Sequence, residues 1–502
     1  MTGILGEVVE WWARATPDRP SIRFPDDAVT SAELHDWTSR VAADLVTRGL
    51  VPGDRVGVFG ANSLAWCIAA VATMKSGAIL VPLNYRYAPP ELASVVAGCT
   101  PKFIFVDDAG LERTKALAAP APELLPLEGL HQFRAGRDAP FSSPHDPDAP
   151  IVIAYTSGST SQPKGVMFSH RSVLAYAFEA SLNYPQNRVG AKAINVPPLF
   201  TGGGTVQLIQ FLIMGMTIFI DYDFDPERIL KLLIEEQIEI FCGVPTFFER
   251  IAALPQFADA DLSHIQFAAV GGARVPVSLL KTWLGKGVVL RQLYGLTEGG
   301  GNTSVMAAAE AVDHPEQCGH GGIFTKHRIM RPDGSECAPN EAGEIWVRGS
   351  GMMIGYWGAP EVTAQTLVDG WLRTGDIGMV DEASNITLVD RMKDMIISGG
   401  LNIWPIDIEN VIQEIDGVIE VAVIAAKDER FGETPMAIIH ADRPLSAEDV
   451  VSYCNDRLGD YKVPRYIVFE ASPLPRLATG KLSKRELKDR YADAATTLTK
   501  VR

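Results

Sequence analysis

Four segments combine residue types that do chemistry at close spacing. Thr156 to Gly165 reads Thr-Ser-Gly-Ser-Thr-Ser-Gln-Pro-Lys-Gly: five hydroxyls, two glycines and one lysine in ten residues. Hydroxyls and backbone N–H groups donate to phosphate oxygens, and a lysine adds a point charge, so the run suits a phosphate cradle. A surface loop has the same composition, which weighs the two evenly. It is not a Walker loop, because Lys164 follows Pro163 and precedes Gly165. Tyr294-Gly295-Leu296-Thr297-Glu298 offers a carboxylate for a magnesium ion and a hydroxyl for a phosphate, or simply a turn capped by Thr297. Thr374-Gly375-Asp376 places an acid at a glycine turn, where it can accept from both hydroxyls of a ribose. Fifteen residues beyond Asp376, Arg391-Met392-Lys393-Asp394 adds charges that a surface ion pair also explains. Near the end, Gly480-Lys481 puts a lysine after a glycine turn; taken alone it reads as solvated.

These segments need a frame. Thr30-Ser31-Ala32-Glu33 is a capping box opening a helix to about Arg48, and Val56 to Phe59 is a strand. Asn62 can cap a helix over Ser63 to Lys75, and Ala78 to Pro82 is a strand after Gly77. A helix over Glu91 to Gly98 and a strand over Lys102 to Val106 continue a β–α rhythm that argues for a parallel sheet under helices. A proline-punctuated connector spans about 107–149. The rhythm resumes at Ile151, with strands at Ile151 to Tyr155 and Val288 to Leu293 ahead of two of the chemical segments. Asp225-Pro226 opens a helix by cap and first-turn proline. From 325 to 390 the pattern is β-rich, with Gly343 to Val347 alternating at period two. After Arg391 a compact α+β unit is expected: helices Asp407 to Glu414 and Ala447 to Leu458, and strands Val418 to Ala425, Pro435 to Ala441 and Tyr466 to Phe469.

Length and charge bound the possibilities. At about 150 residues per domain, 502 residues imply roughly three. The net charge of −16 argues against nucleic acid as a partner. Six scattered cysteines form no CxxC pair, so neither a zinc ribbon nor a disulfide scaffold is expected. The N-terminus lacks a basic region followed by an apolar core, so no signal peptide is expected. The longest apolar run, Val206 to Ile220, is too short and too polar for a transmembrane segment, which needs about 20 residues. The expectation is a cytoplasmic protein, monomer or homodimer.

In order and spacing the segments resemble the adenylate-forming superfamily, in its acyl- and aryl-CoA synthetase branch, and in their overall run bacterial feruloyl-CoA and fatty-acyl-CoA synthetases. The resemblance covers about residues 10–490. Further matching stretches are Gly271-Gly272-Ala273, Gly343-Glu344-Ile345, Gly355-Tyr356-Trp357, Asp390 to Asp394 and Ser398 to Pro405. It implies an α/β fold whose large N-terminal part, residues 1–390, holds two α/β subdomains and a β-rich subdomain. A small mobile α+β C-terminal domain, residues 391–502, would carry the adenylation lysine.

The resemblance also implies roles. Thr156, Ser157, Gly158, Ser159, Thr160 and Lys164 would hold the β,γ-phosphates of ATP. Gly272 and Ala273 would face the adenine and Tyr294 would stack on it. Thr297 would contact the α-phosphate, Glu298 the Mg2+, Asp376 both ribose hydroxyls, with Arg391 in support. Lys481 would bridge the carboxylate and the α-phosphate. Lys393 occupies the hinge, Gly399 and Gly400 would line the pantetheine tunnel of coenzyme A, and Asn402 would contact nucleotide in one domain orientation. The acid's pocket would draw on Phe200, Thr201, Gly203, Phe247, Gly271, Gly295, Gly301 and Asn302. Phe247 and Phe248 at helical spacing are equally core residues. Gly202 to Gly204 and Gly299 to Gly301 either make room for a bulky acid or serve tight turns.

Two positions depart from the family's pattern. Ser161 stands where many relatives have Gly. Thr201 stands where many CoA ligases have a His near the substrate carboxylate. The resemblance implies ATP-dependent ligation of a small-molecule carboxylic acid, aromatic or bulky and hydrophobic, to CoA through an acyl adenylate. An amine or a carrier-protein thiol is the alternative acceptor.

Overall fold

The computed structural model describes residues 5–115, 117, 121–136, 141, 146–156, 163–273, 275–399, 401–477 and 482–502. Contacts divide the chain into two units, one of 1–327 with 346–373, the other of 328–345 with 374–502. The β-rich segment is thus shared between them.

Local signals set the helices of the first unit. The Thr30 hydroxyl accepts from Glu33 N at 3.2 Å and the Glu33 carboxylate accepts from Thr30 N at 2.8 Å, starting the helix Ser31–Thr47. The next helix, Leu64–Lys75, is capped by Ser63 and not by Asn62. Asn62 is spent elsewhere: its Oδ1 accepts from Leu199 N at 2.9 Å and its amide donates to the Asp221 carbonyl at 3.0 Å. Asp225 caps the helix Pro226–Glu235 as expected. The apolar run from Val206 is two elements: the helix Gly202–Met214 stops at Gly215, whose φ of 67° a glycine adopts readily, and the strand Thr217–Phe219 follows. Among the described residues no helix is long and apolar enough to cross a membrane.

Two sheets organise this unit. The seven-stranded sheet runs Gly355–Tyr356, Lys164–Ser169, Pro150–Thr156, Ile79–Leu83, Arg55–Phe59, Phe103–Val106, Glu123–Pro126. The eight-stranded sheet runs Gly301–Val305, Leu290–Leu296, Phe267–Gly271, Ile240–Gly243, Lys192–Asn195, Thr217–Phe219, Pro20–Arg23, Ala28–Thr30. Inner strands pair in parallel and are buried nearly throughout, as in sheets covered on both faces. Antiparallel pairings lie toward the sheet ends, where Gly355–Tyr356 meets Lys164–Ser169 and Pro20–Arg23 meets Ala28–Thr30, and in two further hairpins: Pro150–Thr156 with Lys164–Ser169, and Leu290–Leu296 with Gly301–Val305. Both of these hairpins carry candidate site residues.

In the second unit the strand Val418–Asp428 pairs antiparallel with Gly432–Ala441, and Tyr466–Glu470 adds in parallel. Helices Pro405–Gln413 and Ala447–Asn455 pack Ile408, Ile412, Val450 and Cys454 onto this sheet. The second helix ends three residues before the expected Leu458. The expected alternation over Gly343 to Val347 fails, because Glu344 is buried along with Ile345 and Val347. Its carboxylate accepts from Gly375 N at 3.2 Å, which offsets the cost of its burial. All six cysteines are unpaired.

Candidate functional site

In the first unit the hydroxyl-rich segment bridges a hairpin. Thr156 pairs with Lys164 across the two strands, so both ends are fixed in the sheet. Ser157, Gly158, Ser159, Thr160 and Ser161 lie outside the described residues. On the far side of the Lys164 strand, Tyr356 pairs with Val166. The Lys164 ammonium sits over the Tyr356 ring, 5.2 Å from its centroid. The Tyr356 hydroxyl donates to Glu298 Oε1 at 3.0 Å. Burial, then the Glu298 charge, push the Tyr356 phenol well above its ordinary pKa, so it stays a donor. Glu298 follows the strand Leu290–Leu296 in a single 3₁₀ turn, and its carbonyl accepts from Met353 N at 2.9 Å. Lys164, Tyr356 and Glu298 thus form one chain of contacts. Thr297 adjoins the start of the helix Gly202–Met214: a Cβ on Gly202 would lie 2.8 Å from Thr297 Cγ2 and 3.2 Å from its Oγ1.

That helix start accounts for Thr201. Its hydroxyl accepts from Gly204 N at 3.0 Å and donates to the Pro198 carbonyl at 2.7 Å. Thr201 is a helix cap with both bonding roles in use. The glycine clusters mostly serve close approach. A Cβ on Gly204 would lie 2.1 Å from the Pro198 carbonyl oxygen, and one on Gly300 2.1 Å from that of Gly351. Gly299 is closed by Thr303 and Leu296 side chains; Gly271 and Gly295 each abut a neighbouring backbone carbonyl. Gly203 has no neighbour within 4 Å, and at Gly301 the nearest atom is 3.5 Å away. The tight-turn reading therefore takes four of the six clustered glycines. Phe200 is buried with its ring edge-on to Tyr85, centroids 5.2 Å apart. Phe247 lies in the hydrophobic core, stacked on Phe224 at 4.2 Å, and Phe248 packs edge-on to Trp283. The helix Pro245–Ala252 buries that face, so the core reading describes both.

Gly272 takes a φ of 77°, and it and Ala273 are exposed. Tyr294 is 3% exposed, its ring 6.3 Å from that of His327. His327 Nε2 lies 3.0 Å from Thr303 Oγ1, and burial lowers the imidazole pKa to about 4, so it is neutral at pH 7. Asn302 N donates to the Tyr176 hydroxyl at 3.1 Å.

In the second unit Asp376 and Arg391 face each other in the antiparallel pair formed by strands Trp371–Val380 and Ile386–Arg391. The Asp376 side chain is 8% exposed. Its turn is held by Thr374, whose hydroxyl accepts from Asp376 N at 3.1 Å and donates to the Ile345 carbonyl at 2.6 Å. Lys393 lies in the 3₁₀ turn Met392–Asp394, and Asn402 in the strand Leu401–Ile403 opposite Ile397. Gly399, with a φ of 58°, donates its N–H to the Phe431 carbonyl at 2.8 Å. Gly400 and Lys481 lie outside the described residues. The flanks of Lys481 are defined: Arg476 bridges Leu482, and Ser483 N donates to the Pro475 carbonyl at 2.7 Å. Glu420 accepts from Leu474 N and from Arg476, both at 2.6 Å. On the other side Lys484 pairs with Glu409 at 2.8 Å.

Sequence reasoning gave no role to Tyr356, although it lies in a quoted motif, nor to Glu344 or Glu420. A lone tyrosine after a glycine carries no signal until Glu298, 58 residues earlier, is placed beside it. Among the described residues no three His, Cys, Asp or Glu side chains group to hold a metal. One carboxylate suffices for Mg2+ that arrives with phosphates, since that ion keeps several waters and uses few protein ligands. Glu298 fits that demand.

The chain matches the family described as AMP-binding enzyme over residues 9–357 and the AMP-binding enzyme C-terminal domain over 407–481. It is 35% identical over 482 residues to a feruloyl-CoA synthase of Amycolatopsis sp, covering 95% of this chain and 97% of that one. It is 32% identical over 500 residues to the fatty acid–[acyl-carrier-protein] ligase ScoC of Streptomyces coeruleorubidus, covering 97% and 96%. The crystal structure of ATP-bound MatB from Rhodopseudomonas palustris superposes with a TM-score of 0.90 at 28% identity, covering 98% and 100%.

Proposed function

From the premise that the chain belongs to the adenylate-forming AMP-binding enzymes, in their acyl-CoA synthetase branch, we propose that it is a carboxylic acid–CoA ligase acting on an aromatic or bulky hydrophobic acid. The first step makes acyl-AMP and pyrophosphate, the second acyl-CoA and AMP. The family is ATP-dependent, Mg2+-dependent and CoA-using. The contact chain Lys164–Tyr356–Glu298 carries the reading, because it joins the hydroxyl-rich hairpin to an acidic residue suited to Mg2+.

Attack of a carboxylate on the α-phosphate brings two anions together. Mg2+, when bound, would offset charge building on pyrophosphate. Lys164 and the loop hydroxyls Thr156, Ser157, Ser159 and Thr160 would do the same from fixed positions, with Gly158 letting the loop approach. Thr297 would hold the α-phosphate, Glu298 the metal, and Tyr356 would orient Glu298. Tyr294, Gly272 and Ala273 would receive the adenine, and Asp376 with Arg391 the ribose. Lys481 would bridge the two reacting anions. Residues 391–502 would turn about Lys393, withdrawing Lys481 once AMP is the leaving group and bringing Gly399 and Gly400 to the thiol, with Asn402 on the nucleotide. We place the protein in the cytoplasm, as a monomer or homodimer.

Incubation with ATP, Mg2+, CoA and a panel of aromatic, aliphatic and polycyclic acids tests this. CoA-dependent AMP release with at least one acid is expected, and none across the panel overturns it. A second reading changes the acceptor to a carrier-protein thiol or an amine, and the similarity to ScoC favours the former. Acyl-AMP formation without thioester formation on free CoA would select it.

A further inference from the structure

Behind Gly301 lies a pair of hydrogen-bond donors that no catalytic role uses. Tyr176 belongs to the helix His170–Asn183 and Gln210 to the helix Gly202–Met214. A Cβ on Gly351 would lie 2.8 Å from Tyr176 Cβ, so that glycine admits the tyrosine. The Tyr176 oxygen accepts from Asn302 N at 3.1 Å, which fixes it in place and leaves its own O–H without an acceptor among the described residues. Gln210, 7% exposed, donates from Nε2 to the Gly300 carbonyl at 3.3 Å, and the second amide hydrogen has no acceptor among the described residues. The Cβ that Gly301 lacks would lie 3.5 Å from Tyr176 Oη and 3.8 Å from Gln210 Nε2. An atom resting on the bare face of Gly301 therefore comes within reach of both donors.

We infer that the acid carries a hydrogen-bond-accepting oxygen away from its carboxylate, and that Tyr176 and Gln210 recognise it across Gly301. The inference rests on the reading of Gly301 and Asn302 as walls of the acid's pocket. Both groups are uncharged, so they match a neutral oxygen (ketone, ether or phenol) better than a second carboxylate. A hydrocarbon in its place would leave two buried donors unpaired, and sites built around a hydrogen bond discriminate strongly against analogues that lack it.

Two matched pairs test it: 4-methoxycinnamate against 4-ethylcinnamate, and 6-oxodecanoate against decanoate. Adenylation kcat/KM is read by pyrophosphate release. In at least one pair the oxygenated acid should be favoured at least about tenfold. Tyr176→Phe and Gln210→Leu should each move that ratio toward one. Equal or better use of the hydrocarbon in both pairs overturns the inference, as does a ratio that neither substitution alters in variants whose melting shows them folded. Pyrophosphate release without preference overturns this inference alone. Release with none of these acids nor any acid of the wider panel overturns the ligase reading beneath it.

Discussion

The Tyr356 hydroxyl donates to the Glu298 carboxylate at 3.0 Å, joining an edge strand of one sheet to the turn that ends a strand of the other. A hydrogen bond to a charged group contributes about 1.5–3 kcal/mol. Tyr356→Phe keeps the ring under Lys164 and removes the hydroxyl that bonds Glu298 and also interacts with Thr366. Adenylation should fall roughly tenfold to a hundredfold, with a higher half-saturating Mg2+ concentration. A Mg2+ titration of acid-dependent pyrophosphate exchange checks this, and an unchanged titration would detach Tyr356 from the metal role proposed for Glu298.

Lys481→Ala should cost adenylation about two to three powers of ten or more. The loss should be far smaller for thioester formation from supplied acyl-AMP. Glu420→Ala removes the acceptor of both Leu474 N and Arg476, and should weaken the same half-reaction to a lesser degree. Single-turnover assays of the two steps separate the effects; equal losses in both steps would count against a positioning role for Glu420.

Thr201 caps its helix, so Thr201→Ala should lower stability by about 1 kcal/mol and Thr201→Ser should restore most of it. Urea denaturation measures the difference. No change in the midpoint for Thr201→Ala would refute the cap.

His327 has a folded-state pKa of about 4, below its ordinary 6.5. The unfolded chain therefore binds the proton first. The stability due to a neutral His327 is complete above about pH 6.5 and is lost as pH falls toward 4, by up to about 1.4 kcal/mol per unit. Comparing the stability of the parent and His327→Gln at pH 7.5 and 5 isolates that share, and parallel losses in both proteins would contradict it.

The fold was legible where signals are local. Thr30 with Glu33 and Asp225 with Pro226 declare helix starts because cap and partner lie within one turn. Asn62 misled, because the structure uses its amide for Leu199 and Asp221, more than 130 residues away. The chemical segments were legible as compositions, and the structure joins Thr156, Lys164, Thr297 and Glu298 in one region of one unit. Tyr356, Tyr176 and Glu420 were silent, since each acts through a partner distant in sequence. Phe247 and Phe248 show the converse: spacing that fits a pocket also fits a core.

The glycines around Thr297 also govern how this protein can change over generations. Gly204 and Gly300 face backbone oxygens at 2.1 Å from where a side chain would begin, so single mutations there meet a steric wall that no rotamer avoids. If the acid's pocket is the one proposed above, heritable variation in acid preference is channelled to Gly203, which has open space, and to side chains already present at Tyr176 and Gln210. Lineages diverging from this chain should differ at those three positions before they differ at either walled glycine.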